Sequence, residues 1–289
     1  MSLTLSSTCV ECLIRRNLED VRKLGTEEQA MEFARGFFQV FLDAPDYATA
    51  PYLNTLASDL IQKVYHIEGD RYAAEKEESN RFVLERMDTI RQKILAAADP
   101  VYAGIQFAIL GNYLDFAALK NVSFEKLDQM LDTAADIQVE AAVYEQLCRE
   151  LETGKDLIIL TDNAGEIGFD RLMAEQIARK YPQLTVTFCV RGQITANDAT
   201  REDAAAVGID FPVMDNGNHI CGTQLEVCSE ECKQALRDAD VILAKGMANV
   251  ETLLGSGLNV YYAFMIKCPR FEALFNKPLY TPMLVKERK

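Results

Sequence analysis

DLIILTDNAGEIGFDRLMAEQIARK (156–180) contains a short apolar run, a polar loop and a helical segment in immediate succession. The run DLIIL (156–160) has the length and apolar character of a buried strand, and residues from about Ile167 to Lys180 have helical spacing. A strand, loop and helix in this order form the building block of parallel sheets. The stretch therefore predicts an α/β domain that begins just after Gly154.

The chain beyond this stretch continues the same alternation. Further apolar runs are LTVTFCV (184–190), FPVM (211–214), VILAK (241–245) and NVYYAFMI (259–266). Helical segments are predicted between them, near residues 199–207, 229–237 and 250–254. Because helices separate successive strands, we predict a three-layer α/β/α, Rossmann-like domain with a mainly parallel sheet over residues 153–289.

The chain before this stretch has a different spacing of apolar residues. From about Glu11 to Leu151, apolar residues recur every three or four positions, which is the helical period. In TEEQAMEFARGFFQVFLDAP (26–45), Thr26 suits a helix N-cap and Pro45 follows the helix end. Three more helices are predicted over residues 71–97, 102–110 and 123–151. Residues 1–152 are therefore predicted to form an N-terminal helical region.

Composition excludes several classes of function. The formal net charge is -14, and no local basic patch offsets it, so neither nucleic acid nor an anionic membrane is an expected partner. The first ten residues lack the apolar run of a signal peptide, and no window holds about 18 uninterrupted apolar residues. These features predict a soluble, cytoplasmic protein; the oligomeric state does not follow from them.

Polar residues cluster where the predicted strands end. They are Thr161, Asp162, Asn163, Gly165 and Glu166 after the first strand, Arg191, Gly192, Asn197 and Asp198 after the second, and Lys245, Gly246 and Asn249 after the fourth. The carboxyl ends of parallel strands meet at one edge of the sheet, which is where ligands bind in such folds. We therefore expect these three loops to form one site.

The chemistry of these residues suits a metal and a phosphate. Asp162, Asn163 and Asp198 supply hard oxygen ligands of the kind that Mg²⁺ or Mn²⁺ takes. Lys245 could neutralise phosphate charge, and Gly165 would let backbone approach the same oxygens. A structural interpretation competes at each position: Asn163 with Glu166 fits a helix capping box, Asp198 fits a helix cap, and Lys245 fits a solvated surface.

Four segments resemble the damage-control phosphatases, an acidic-residue methyltransferase-like family formerly described as a domain of unknown function. These segments are DNAGEIGFD (162–170), RGQITANDATREDA (191–204), KGMANVETL (245–253) and GNYLDF (111–116). CVEC (9–12) and DRYAAEKEESN (70–80) further resemble its prokaryotic, CxxC-bearing subgroup. The resemblance covers both halves of the chain.

This resemblance implies a helical N-terminal subdomain, an α/β/α core and a divalent metal, Mg²⁺, Mn²⁺, Co²⁺ or Ni²⁺, held by Asp162, Asn163 and Asp198. It implies a phosphatase acting on small phosphorylated metabolites, either sugar phosphates or damaged cofactor phosphates. The residues that it places around the substrate are Asn112, Asp115, Glu166, Asn197 and Lys245. Gly165 and Arg191 are added as candidate substrate contacts because they lie in the loops that follow the same strand ends.

Two mechanisms remain open for such a phosphatase. Enzymes of the haloacid-dehalogenase type form an aspartyl-phosphate and usually carry a second aspartate two residues after the nucleophile; here that position is Ala164. Attack by a metal-activated water is therefore favoured, with charge stabilised by the metal and Lys245. Asp162 as the nucleophile is the alternative.

Three other classes of function also remain open. The family's methyltransferase label raises a carboxyl methyltransferase, although the loop after the first strand lacks a GxGxxG pattern. A nucleotide-binding regulator could use the same rim. Cys9 and Cys12 form a CxxC, which could hold zinc as a thiol-zinc interaction module. Only two histidines are present, His66 and His219, so a Ser-His-Asp triad is hard to assemble.

Overall fold

The computed structural model describes residues 3, 5–115 and 122–287, and its described strands form one six-stranded sheet in the order β3-β2-β1-β4-β5-β6. The strands are β1 (Asp156–Leu160), β2 (Thr185–Val190), β3 (Val213–Asp215), β4 (Val241–Lys245), β5 (Val260–Met265) and β6 (Pro282–Lys286). The first five run parallel, and β6 pairs with β5 in the antiparallel direction. This architecture confirms the predicted α/β fold class.

Helices account for most of the remaining described residues. They are α1 (Ser7–Val21), α2 (Glu27–Leu42), α3 (Ala50–Tyr65), α4 (Ala73–Ala96), α5 (Pro100–Gly111), α6 (Phe124–Asp132), α7 (Ala141–Thr153), α8 (Glu166–Lys180), α9 (Arg201–Ala206), α10 (Glu230–Asp238), α11 (Gly246–Leu253) and α12 (Pro269–Phe275). Thr26 caps α2 as predicted, with a full capping box formed by Gln29. In the described part of the chain, no helix combines the length and apolarity that crossing a membrane requires.

The single helix predicted over residues 123–151 is wrong. The chain forms α6, a short 3₁₀ turn at Ala134–Asp136 and α7, with an extended stretch between the turn and α7. Side chains of α5 hold this stretch, because Gln106 donates to the Ile137 carbonyl at 2.7 Å and the Tyr102 hydroxyl accepts from Val139 N. These tertiary hydrogen bonds replace the ones that a continuous helix would make.

Both faces of the sheet are covered, as the unbroken apolar runs require. Leu157 and Ile159 of β1 pack in a cluster with residues of α5 and α8, whereas Ile158 and Leu160 pack with residues of α10, α11 and α12. Helices α1, α2 and α3 form a separate cluster around Phe33, Phe37 and Leu53. The predicted domain boundary at residue 152 stays a prediction. Helix α5 precedes that boundary, and its side chains pack in the same hydrophobic cluster as the sheet.

The strand order places a crevice at the centre of the sheet. β1 lies between β2 and β4, so the chain leaves β1 first towards β2 and β3 and then returns to β4 on the other side. Ligands bind at such a reversal, beyond the carboxyl ends of the strands. The loops after β1, β2 and β4 therefore meet where the sequence predicts a site.

Candidate active site

The loops after β1 and β2 are joined by backbone hydrogen bonds. Asn163 and Asp198 form an isolated antiparallel bridge. Ala199 N donates to the Asp162 carbonyl at 2.8 Å, and Ala164 N donates to the Asn197 carbonyl at 2.8 Å. This pairing brings Asp162, Asn163 and Asp198 together, as predicted from the strand ends.

Two amides orient the carboxylates of Asp162 and Glu166. Asn112 Nδ2 donates to Asp162 Oδ2 and to Glu166 Oε2, each at 2.9 Å. Asn163 Nδ2 donates to the same two oxygens, at 2.9 and 2.8 Å. Asn197 in turn donates to Asn163 Oδ1 at 2.9 Å. The Asp162 side chain is therefore held in one orientation by groups from α5 and from its own loop.

Both capping interpretations are wrong. The N-cap of α8 is Gly165, with a φ of +75°, and no side chain caps that helix end. Asn163 instead bonds the Glu166 side chain. Helix α9 begins after Thr200, which forms a capping box with Asp203, so Asp198 caps nothing there. The polar atoms of Asn163 and Asp198 are thus not consumed by helix ends.

Asp198 is paired with a buried arginine. Arg191 Nε lies 2.7 Å from Asp198 Oδ2, and Arg191 Nη2 donates to the Thr161 carbonyl at 3.1 Å. The Arg191 side chain has no solvent exposure. Arg191 therefore holds the Asp198 carboxylate in place through a buried ion pair.

Lys245 lies beneath the site. Its Nζ is 2.7 Å from both Glu166 Oε1 and Asp170 Oδ1, and it donates to the Ala108 carbonyl at 2.9 Å. All three charged side chains are fully buried. Burial lowers the pKa of Lys245, but the Asp170 and Glu166 carboxylates outweigh it and raise the pKa above its usual value. Lys245 is thus a buried cation that is paired with two carboxylates.

A cavity of about 200 Å³ opens above these residues. Four of the predicted site residues line it: Asp115, Asp162, Asn163 and Asp198. The other predicted residues lie outside its lining. Four of them bond to residues that form it: Asn112, Glu166, Arg191 and Asn197. Gly165 bonds to Asn80, and Lys245 contacts the cavity only through Glu166. Among them, Asn112, Glu166 and Lys245 are fully buried.

Sequence reasoning missed Lys267, which also lines the cavity. Its Nζ lies 2.7 Å from Asp115 Oδ2. Lys267 comes two residues after the end of β5. A polar residue beyond a strand end is the same signal that identified the other loops, so Lys267 could have been found. The cavity wall is completed from the helical region by residues of α1 and α3, among them Cys9, Cys12, Arg16 and Asn54.

The carboxylates carry unfavourable charge in this arrangement. Burial, followed by the charges of Glu166 and Asp198, raises the pKa of Asp162 well above its usual value. Burial also raises the pKa of Asp198, although Arg191 opposes the shift. Burial raises the pKa of Asp170 to about 7, with Lys245 opposing that rise. A cation beside Asp162 and Asp198 would relieve this repulsion.

The donor set fits a hard divalent cation. Hydrogen bonds and ion pairs between the described residues engage Oδ2 of Asp162 and Oδ2 of Asp198, which leaves the Oδ1 atoms for a ligand. The Asn163 carbonyl has two lone pairs and accepts one hydrogen bond, from Asn197. Within residues 3, 5–115 and 122–287, no three His, Cys, Asp or Glu side chains form a metal-binding group. Mg²⁺ usually keeps several waters, so two carboxylates and an amide suffice.

Comparison with known proteins gives consistent matches along the chain. The damage-control phosphatase ARMT1-like domain matches residues 5–281. A damage-control phosphatase of Archaeoglobus fulgidus is 30% identical over 273 residues, covering 92% of this chain and 93% of that protein. A damage-control phosphatase of Pyrococcus horikoshii is 29% identical over 205 residues, covering 69% of each chain.

The fold also has a solved counterpart. A crystal structure of a DUF89 family protein from Pyrococcus horikoshii superposes with a TM-score of 0.83, covering 99% of each chain at 23% identity. At that identity, the match supports the fold alone.

Proposed function

The chain belongs to the damage-control phosphatase ARMT1-like family, and on that premise we propose that it is a metal-dependent phosphatase for small phosphorylated metabolites. The observation that carries the proposal is the placement of Asp162, Asn163 and Asp198 side by side on one cavity wall. Hard oxygen donors gathered in a cavity suit a divalent cation that also binds a phosphate. Mg²⁺, Mn²⁺, Co²⁺ and Ni²⁺ are the candidate ions.

The protein's own residues prepare this site in two ways. Asn112 and Asn163 fix the Asp162 carboxylate by donating to Oδ2. Arg191 fixes the Asp198 carboxylate. When bound, a divalent cation would polarise the phosphate and lower the pKa of an attacking water. Because the carboxylates are already oriented, little reorganisation would accompany the reaction.

We assign the phosphate contact to Lys267 rather than Lys245. Lys267 lines the cavity, and its ammonium lies at 2.7 Å from Asp115. Both lysine side chains are buried, but Lys245 does not line the cavity, and its ammonium is surrounded by Glu166, Asp170 and a carbonyl. Lys245 would therefore act as a positioning residue through Glu166, whereas Lys267 would compensate the negative charge of the phosphate.

Water is the proposed nucleophile. Asp162 Oδ2 accepts from two amides, which suits a fixed ligand better than a nucleophile that must move onto phosphorus. The position where a second aspartate is usual in aspartyl-phosphate enzymes is Ala164, which is 1% exposed. Position 164 therefore supplies no carboxylic acid that could protonate a leaving group.

The size of the cavity favours small substrates. At about 200 Å³ it lies below the usual range of drug-sized sites. The family resemblance implies sugar phosphates and damaged cofactor phosphates, and sugar phosphates consist of a phosphate and a compact polar body. We propose substrates of this size.

Release of phosphate from a panel of sugar phosphates and p-nitrophenyl phosphate, assayed with each candidate metal, tests the proposal. Asp162→Asn and Asp198→Asn should each lower metal-dependent turnover at least about a hundred-fold. Asp88→Asn is the matched control, because the Asp88 side chain is 94% exposed. Lys267→Met should lower turnover, and urea unfolding of the same variant separates this effect from a loss of stability, since the Lys267 side chain is buried against Asp115.

Turnover that needs no metal, or that survives both ligand-set substitutions, would overturn the proposed function. Binding of an adenosyl cofactor by chelator-treated protein would point to the methyltransferase instead. Equilibrium binding measured with the cofactor and with the metal therefore separates the two classes.

A further inference from the structure

Four of the eight cysteines line the cavity that contains Asp162 and Asp198. Cys9 and Cys12 come from α1, Cys221 from the segment before α10, and Cys268 from the segment before α12. All four are free thiols. The proposed phosphatase chemistry uses none of them, so their concentration on this wall calls for another explanation.

Cys9 has the surroundings of a reactive thiol. Arg270 Nη1 lies 3.0 Å from Cys9 Sγ, and Ser6 Oγ lies 3.2 Å from the same sulfur. Cys9 is also in the first turn of α1, whose N-terminal amides favour negative charge. A guanidinium and a hydroxyl therefore contact the Cys9 sulfur, and Cys9 also lines the cavity.

Cys12 is the best-placed partner for Cys9. It lies three residues further along α1, so the two side chains share one helix face. Both line the cavity, and Cys12 is more exposed than Cys9. The CxxC spacing is the one that dithiol–disulfide sites use.

The other two cavity thiols are less suited to exchange. Burial raises the pKa of Cys268 to about 11, which keeps it protonated. Burial likewise raises the pKa of Cys221, which also contacts the Thr195 hydroxyl. A protonated thiol is a poor nucleophile.

We propose that Cys9 and Cys12 form a thiol–disulfide exchange site on the cavity wall, with low-molecular-weight disulfides as its reagents. The Cys9 thiolate attacks one sulfur of the reagent, the reagent's S–S bond breaks, and one thiolate leaves. Cys12 loses its proton and attacks Cys9 Sγ, and the second thiolate leaves. The protein dithiol loses two electrons, and the reagent disulfide becomes two thiols.

The exchange also changes the cavity wall. A disulfide brings two sulfurs to about 2.05 Å, so Cys9 Sγ becomes bonded to Cys12 and can no longer carry the thiolate charge that would attract Arg270. Arg270 lines the same cavity and loses a contact that holds it. The oxidised protein should therefore bind phosphate esters more weakly, a consequence that rests on the proposed function.

The full-length protein is equilibrated with mixtures of cysteamine and its small disulfide cystamine, quenched with N-ethylmaleimide and measured by intact mass. The wild type should lose two alkylatable thiols as the mixture becomes oxidising, and Cys268→Ser should behave the same way. Cys9→Ser should keep its remaining thiol, Cys12, alkylatable in every mixture, and Cys12→Ser should stop at a single cysteamine adduct on Cys9.

Two further arms test the chemistry of Cys9. Arg270→Met should slow the reaction of Cys9 with an aromatic disulfide by about ten-fold without changing the number of reactive thiols. Cys228 and Cys232 serve as the internal control, since both are buried and should be alkylated only after unfolding. A merely structural role of Arg270 would leave the rate unchanged.

Several results would overturn the proposal. The proposal fails if Cys9 and Cys12 stay alkylatable in every mixture. It also fails if the Cys268→Ser substitution abolishes the disulfide. Stoichiometric zinc that protects both thiols until chelator is added identifies a zinc site instead. If the disulfide forms and KM for a phosphate ester does not rise, the exchange site stands and its coupling to the cavity falls. If neither form releases phosphate, the proposed function fails while the thiol result stands.

Discussion

Gly246 and Asp162 are packed so closely that no side chain fits between them. A β-carbon on Gly246 would overlap the Asp162 carboxylate and lie 2.8 Å from Asp162 Cβ. Gly246 also has a φ of +77°, a conformation that favours glycine. The end of β4 therefore sets the position of the carboxylate that follows β1.

Gly246→Ala should reduce turnover about a hundred-fold, since a side chain there must displace Asp162, and displacement of a functional group by about 1 Å has effects of that size. Gly257→Ala is the matched control, because Gly257 has the same φ of +77° and nothing within 4 Å of an added β-carbon. Both variants should lose about 1–2 kcal/mol of unfolding free energy from backbone strain. Equal losses of turnover, measured as kcat/KM, would show that strain alone explains the effect.

Replacement of the buried Lys245 should mainly lower the free energy of unfolding. Lys245→Met removes the cation that neutralises Glu166 and Asp170, both fully buried. Uncompensated buried charges of this kind usually lower the free energy of unfolding by about 3–5 kcal/mol. Urea unfolding measures the change.

Lys233→Met is the control for that substitution. Lys233 pairs with Glu230, whose side chain is 82% exposed, and such solvent-screened surface pairs contribute little to stability. A similar change in both lysine variants would contradict the buried network. So would a Lys245→Met protein as stable as the wild type.

The fold was largely predictable because its strands are buried on both faces. DLIIL and VILAK are uninterrupted apolar runs, and β1 and β4 occupy the same residues. The division of residues 123–151 was not predictable, because hydrogen bonds from Tyr102 and Gln106 cause it. The antiparallel strand β6 was also missed; it begins at Pro282, which an edge strand tolerates.

The rim of the site was predictable, but the depth of each side chain was not. Strand ends identified Asp162, Asn163 and Asp198, because parallel strands bring their carboxyl ends together. The two lysines look alike in sequence, since Lys245 ends a buried strand and Lys267 lies just beyond the end of another. Lys245 turns inward because Asp170 of α8 and the Ala108 carbonyl of α5 lie beneath it, and only the packed structure contains that information.

The two carboxylates of the proposed metal site should respond in opposite directions to neutralisation. In chelator-treated protein, Asp162→Asn removes a buried charge that faces Glu166 and Asp198, so the unfolding free energy should rise. Asp198→Asn leaves the buried Arg191 without its partner and should lower it by about 3 kcal/mol. Urea unfolding of both variants checks this contrast. Destabilisation by both substitutions would mean that the charge of Asp162 is already compensated in the metal-free protein.

His219 and Asp59 should make stability depend on pH. His219 Nε2 lies 2.9 Å from Asp59 Oδ2, linking the loop after β3 to α3, and this hydrogen bond raises the pKa of His219. Because the folded pKa is the higher one, the contribution is fully present below the unfolded pKa of about 6.5 and is lost as pH rises through the folded pKa.

A double-mutant cycle with His219→Asn and Asp59→Asn isolates that contribution. The coupling free energy should be below about 1 kcal/mol, the value for a partly exposed pair, at about pH 5.5, and should vanish at about pH 9. Urea unfolding of the four proteins at both pH values provides the cycle. A coupling that stays constant or grows with pH would mean that the histidine is not the charged partner, because only its protonated form attracts the Asp59 carboxylate.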